Sequence, residues 1–215
     1  MKGFFIFICK FFLQPISMAF FKSAQGLENI PQDGPFILAS NHNDSLDHWY
    51  ITHFLFKNLK KVRFIGALDD SRTRLISPVW YYFSETIAVQ RNDDKSKEMV
   101  TQEAIKSLKA GKIVIAYPEG HFSYKDRLLK GRAGVAIMAL ESGVPVVPMG
   151  IEVDDDYKHT IRFGKPLDFS KEEQIYFQTK GKDYSACHVI IRETVDKIMV
   201  EISKLCNKKY LAGNH

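Results

Sequence analysis

Seven consecutive residues, Asn41-His42-Asn43-Asp44-Ser45-Leu46-Asp47, hold an imidazole and a carboxylate five positions apart. Inside one regular helix these two side chains would point about 140° away from each other and could not meet. They can meet if His42 lies in a turn ahead of a helix, and Asp44 and Ser45, both good N-cap residues just before Leu46, predict that arrangement. A carboxylate bonded to one ring nitrogen fixes the tautomer and leaves the other nitrogen as an acceptor. That is what a general base for a hydroxyl requires.

Two other readings fit the same string. His42 is also what a hydrogen-bonded turn histidine looks like, and His42, Asp44, Asp47 and His48 crowd together somewhat like the H-x-H-x-D-H string of metal-dependent hydrolases, one residue out of register. A second polar segment, Tyr117-Pro118-Glu119-Gly120-His121-Phe122-Ser123, brings a carboxylate and backbone N–H groups around a glycine. Such a turn can bind an anion or an oxyanion through its amides. It is equally the composition of a plain turn whose Glu119 pairs with a nearby lysine or arginine.

Both segments follow strand-like runs. Residues 36–40 read as a buried strand after the turn residues Asp33, Gly34 and Pro35, and residues 46–56 as a helix. Residues 62–67 and 86–89 are short strands, separated by an aromatic stretch with Pro78, Trp80, Tyr81, Tyr82 and Phe83. Residues 95–110 form a helix capped by Asp93 or Asp94, with Val100, Ala104 and Leu108 on one stripe and Gly111 at its end. Residues 112–117 are a strand, 132–142 a helix closed by Gly143, 146–152 a strand, 160–163 an edge strand, and 188–206 a helix by the spacing of its apolar residues. The alternation predicts an α/β fold: a single domain whose central sheet, mostly parallel or mixed, is flanked by helices. Ligands of such sheets bind outside the carboxyl ends of the strands, where both polar segments fall.

With 215 residues, 45% of them apolar, the chain can bury one full core. The net charge of +5 favours anionic partners. The basic residues come in short groups, such as Lys57, Lys60, Lys61 and Arg63, or Lys125, Arg127, Lys130 and Arg132, with no helix-turn-helix, zinc-finger or ribonucleoprotein signature. Nucleic acid is therefore not expected as a partner. Cys9, Cys187 and Cys206 are odd in number, far apart and without C-x-x-C spacing. They indicate a reducing compartment and neither a disulfide framework nor a thiolate zinc site. Residues 1–21 are rich in phenylalanine but broken by Lys10 and Pro15 and flanked by Lys2 and Lys22, with no A-x-A-like cleavage site after them. The expectation is an apolar helical segment over residues 1–25 that contacts a membrane from its surface, followed by one domain over residues 26–215. A core-packed amphipathic helix and a true span are the alternatives.

The order of the motifs resembles the family of 1-acyl-sn-glycerol-3-phosphate acyltransferases and their glycerophospholipid relatives. Residues 41–47 look like that family's N-H-x-S-x-x-D block, with Gly26-Leu27-Glu28-Asn29-Ile30-Pro31 and Gly34-Pro35 as its lead-in. Glu85-Thr86-Ile87-Ala88-Val89-Gln90-Arg91 resembles the second block, Pro118-Glu119-Gly120-His121-Phe122-Ser123 the third, P-E-G-T-R-S, and Val144-Pro145-Val146-Val147-Pro148 the fourth. Gly164-Lys165-Pro166 is similar to a G-K-P that follows. The resemblance implies His42 as catalytic base and Asp47 as its partner. It also implies Asn41, Arg91, Glu119, Gly120, His121, Ser123 and Lys130 as substrate-binding residues, with Arg91 on a phosphate and Glu119 with Gly120 shaping the acceptor site. No metal and no bound cofactor are implied. The co-substrate is acyl-CoA or an acyl-loaded acyl carrier protein, the acceptor a lipid, and the location the cytoplasmic side of a membrane, peripheral or monotopic. Phe122 stands where the third block has arginine, His121 where it has threonine, Glu85 where glycine is usual and Asp44 where serine is usual. Losing that arginine removes a bidentate phosphate contact. Either Arg127, Lys130 or Arg132 replaces it, or the acceptor is a different lipid without a terminal phosphate, or the chain is a catalytically silent lipid-binding protein of the same fold. No activated serine or cysteine motif such as G-x-S-x-G is present, which favours one-step transfer over an acyl-enzyme.

Overall fold

The structure, a computed structural model, describes residues 3, 7, 11, 12, 14–44, 47–67, 85–90 and 92–212. In chain order its elements are α1 (Gln14–Phe20), β1 (Phe21–Gln25), β2 (Ile37–Ser40), α2 (Asp47–Phe54), β3 (Val62–Ala67), β4 (Ile87–Val89), α3 (Asp94–Lys109) and β5 (Ile113–Ala116). They continue with α4 (Gly134–Ser142), β6 (Val146–Val153), β7 (His159–Phe163), α5 (Ser170–Thr179) and α6 (Tyr184–Cys206). The strands form one mixed seven-stranded sheet in the order β1-β7-β6-β2-β5-β3-β4. The β6/β7 pair is antiparallel and the others are parallel.

Side chains alternate across the sheet as the pleat demands. Ile37, Ala39, Val114 and Ala116 face a core shared with α3, α4, α5 and α6. Phe36, Leu38, Ile113 and Ile115 face the opposite core, which holds Tyr50 and Ile51 of α2. Both faces of β2 and β5 are therefore covered, which is why these strands read as continuous apolar runs. Each buried Leu or Ile contributes about 1.5–3 kcal/mol of burial free energy.

The connections decide where the site is. The chain leaves β2 through α2 on one face and leaves β5 through α4 on the other, although β2 and β5 are adjacent and parallel. Residues 41–44 and 118–132 thus leave the ends of neighbouring strands, the usual ligand position in such sheets.

Three expectations are corrected. Residues 160–163, expected as an edge strand, belong to β7, and β1 pairs with it outside. Residues 21–25, expected within the N-terminal helical segment, are that outer strand. Phe-Lys-Ser-Ala-Gln carries no clean alternation, so its extended state comes from pairing with β7 rather than from local pattern. Helix α5 went unanticipated because the apolar residues of Ser170–Thr179 come in one run, Ile175, Tyr176 and Phe177, without helical spacing, and Tyr176 alone of them is buried. The aromatic stretch around Trp80 lies outside the described residues.

Candidate active site

Asp47 opens α2 and is completely buried. Its Oδ2 accepts hydrogen bonds from His42 Nδ1 at 2.7 Å, the Asn43 amide at 2.7 Å and the Asp44 amide at 3.2 Å. One oxygen thereby caps the turn and orients the imidazole that the turn carries. Three donors on one oxygen stabilise the anion, although burial pushes the carboxyl above its ordinary range, against the pull of His42 and the Asn43 amide. His42 is thus in the turn before the helix, as the five-residue spacing requires. Ser45 and Leu46, the expected cap and first helical residue, lie outside the described residues.

The His42 ring lies flat on Tyr117 at 4.0 Å between centroids, with Phe122 tilted against it at 4.4 Å and the edge of His48 at 5.6 Å. Aromatic walls of this kind hold the ring in one plane and exclude water from it. His48 is no second base: burial, with His42 beside it, pushes its pKa down to about 3.

The third-block turn is braced from inside. Glu119 is 2% exposed, and its carboxylate accepts from the Ser123 hydroxyl on one oxygen and from the Leu129 amide, at 2.6 Å, on the other. Burial raises its pKa, while Ser123, Leu129 and the charge of Lys208 oppose the shift. Ser123 returns a bond from its amide to the His42 carbonyl at 2.6 Å, which ties the two polar segments together. Gly120 has φ +69°, and a Cβ there would lie 2.4 Å from Arg132 Nε. That guanidinium lies over the glycine because Nε donates to the Glu119 carbonyl at 3.2 Å.

The expected binding residues therefore divide. His42, Asp47, Glu119, Gly120 and Ser123 come together at the mouth of β2 and β5. Asn41 is buried, and its amide donates to the Ile151 carbonyl at 2.9 Å and accepts from the Ile151 amide at 2.8 Å, so it pins the end of β2 to β6. His121 and Lys130 are exposed on the loop. Arg91 lies outside the described residues.

Two residues went unnoticed in the sequence. Lys208 follows α6 and reaches into the site, with no local signal to announce it. His159 begins β7, its Nε2 3.4 Å from Asp44 Oδ2 and its ring 4.8 Å from that of Tyr50. Its trace in the sequence is a histidine in phase with the buried Ile161 and Phe163. Asp44, Asp47 and His159 each offer a ligand atom within 4.8 Å of the others. They are already matched as pairs, His42 with Asp47 and His159 with Asp44. Burial disfavours the His159 cation, yet the bond and charge of Asp44, with Asp47 behind, outweigh it and raise the pKa. This set is not the expected one, since His159 stands in it where His42 and His48 were expected.

Comparison with known proteins agrees with this architecture. The family model described as Acyltransferase matches residues 23–152. The chain belongs to that acyltransferase family. The chloroplastic 1-acyl-sn-glycerol-3-phosphate acyltransferase BAT2 of Brassica napus is 31% identical over 147 residues, 66% of this chain and 41% of that protein. Chloroplastic LPAT1 of Arabidopsis thaliana, a protein of the same description, is 30% identical over 145 residues, 66% of this chain and 39% of its own. The chain thus spans about two fifths of the length of these relatives. The crystal structure of the 1-acyl-sn-glycerophosphate (LPA) acyltransferase PlsC from Thermotoga maritima matches with a TM-score of 0.58 and 22% identity. That match covers 94% of this chain and 81% of the other, and shows a common fold.

Proposed function

We propose that the chain transfers a fatty acyl group from a thioester, acyl-CoA or acyl carrier protein, to a hydroxyl of a lysophospholipid such as 1-acyl-glycerol-3-phosphate. The observation that carries this reading is the 2.7 Å bond from His42 Nδ1 to Asp47. With Nδ1 donating, Nε2 is the acceptor for the hydroxyl proton. The hydroxyl oxygen attacks the thioester carbonyl as Nε2 takes its proton. The tetrahedral oxyanion then collapses, the C–S bond breaks, and the imidazolium protonates the leaving thiolate, so ester and free thiol are the products. Backbone amides of the third-block turn hold the oxyanion, although those of Gly120 and Ser123 are committed to the Tyr117 and His42 carbonyls. Neither a resident metal nor an organic cofactor takes part.

Arg132 serves as the anion contact in place of the arginine absent at Phe122. Its Nε anchors the guanidinium above Gly120, and its terminal nitrogens make no hydrogen bond among the described residues. Membrane docking rests on Phe7, Phe11, Phe12 and Phe20, which are 50%, 56%, 62% and 39% exposed. Among the described residues, no helix is long and apolar enough to cross a membrane. The decisive experiment supplies both thioester donors with a panel of lysolipids and follows free thiol and diacyl product. Thiol release that requires a lysolipid and disappears in His42→Ala supports the reading. Unaltered release in His42→Ala, or tight lysolipid binding with no release at all, refutes it.

A further inference from the structure

The segment after α6 lies more than fifty residues beyond the stretch matched to the family model, which ends at residue 152, yet it enters the site. Helix α6 lies directly on β6 because Gly150 lacks a side chain: a Cβ there would sit 2.4 Å from the Leu205 carbonyl carbon and 2.5 Å from the Cys206 nitrogen. The chain then turns at Asn207, which adopts φ 55°, and runs beside the third-block loop. The Leu128 amide donates to the Lys209 carbonyl at 2.9 Å, and the Lys209 amide to the Asp126 carbonyl at 3.0 Å. Between these anchors the Lys208 ammonium donates to Asn43 Oδ1 at 2.6 Å and to the Tyr124 carbonyl at 2.9 Å.

We propose that Lys208 is a positioning residue of the acyl-transfer site, a cationic clamp that holds the His42 turn and the third-block loop at a constant separation. The assignment rests on the acyl-transfer reading. Asn43 is the link: its amide donates to Asp47 Oδ2, its side-chain amide donates to the Ile151 carbonyl at 2.9 Å, and its oxygen receives Lys208. Freeing that oxygen lets the turn, and with it the imidazole, drift relative to Phe122 and Ser123. The charges that act on Lys208 are Glu119, Asp47 and Asp126, together with the thiol of Cys206. Burial pulls the pKa of its ammonium down, and these groups offset part of that shift.

The test compares full-length wild type, Lys208→Met and Lys208→Arg in steady-state transfer, beside a 13C carboxylate titration of Glu119. Lys208→Met should lower kcat about tenfold or more with the acceptor KM little changed, and Lys208→Arg should recover most of it. The Glu119 midpoint should move to higher pH in Lys208→Met, because a cation facing the carboxylate has gone, and should hold its place in Lys208→Arg. A purely structural lysine would lower the Tm and leave kcat at the wild-type value, which would overturn the assignment. A rise in KM at constant kcat would also overturn it, as the mark of a substrate contact. Should Lys208→Met not fold, Lys208→Gln, which keeps a donor but no charge, carries the same comparison, and loss of folding in both speaks for scaffold alone. Failure of wild type to release thiol refutes the acyl-transfer reading, and the role of Lys208 in it, separately from the Glu119 titration, which reports on the clamp itself.

Discussion

Two loops at the carboxyl edge of the sheet each bury an acid, and the acids do different work. Asp47 collects its donors on one oxygen, one of them an imidazole whose second nitrogen remains for chemistry, while its Oδ1 makes no hydrogen bond among the described residues. Glu119 spends both oxygens on its own loop, on the Ser123 hydroxyl and the Leu129 amide. Burial raises the pKa of both. Burial and a shifted pKa therefore do not tell the two acids apart. What separates them is whether a donor on the acid has a second function facing the cleft.

The comparison breaks most visibly at the imidazole. His42→Ala should lower kcat by about 10²–10⁴-fold with little change in Tm, and Asp47→Asn should follow it at the lower end of that range. Steady-state kinetics beside thermal melts would show the split. In Glu119→Ala the order should reverse, with a loss of about 1–3 kcal/mol in stability by denaturant titration as the Leu129 amide loses its partner. Should that variant melt like wild type and lose as much kcat as His42→Ala, the distinction between the two loops would be wrong.

Gly120→Ala sharpens the comparison further. A side chain at φ +69° costs about 1–2 kcal/mol and displaces the Arg132 guanidinium, so the acceptor KM should rise for a phosphorylated lysolipid and hold steady for an uncharged one. The smallest effect concerns the flank of the first loop. His159 has a raised pKa, so its contribution to stability is fully present below its unfolded value near 6.5 and is lost as pH rises through the folded value. Tm should decline across that alkaline window in wild type and decline less in His159→Gln; parallel curves would show that the Asp44 pairing carries no linkage.

Much of the fold was legible because its signals are local. Val62–Ala67 coincides with the expected strand, and Asp93 caps α3 through the Lys95 amide, as the acid before a periodic run predicts. Helix α5 and strand β1 were not legible. The first buries too little apolar surface to show a period, and the second is extended because β7 offered an open edge. In the site, Asn41 shows the same limit. It lies beside His42 in the chain, but its amide completes the ladder to Ile151, 110 residues away.

The sequence by itself determined the His42 and Asp47 pair, since five residues and a helix start suffice to close that contact whatever lies around it. Only the tertiary structure decided that β2 and β5 lie side by side with their connections on opposite faces, so that the Glu119 turn meets the His42 turn. It also decided that Arg132 covers Gly120 and that Lys208 arrives from 165 residues away to hold Asn43. Contacts of that separation depend on how the sheet is ordered and how closely α6 can approach it at Gly150, and neither leaves a periodic mark on the residues concerned.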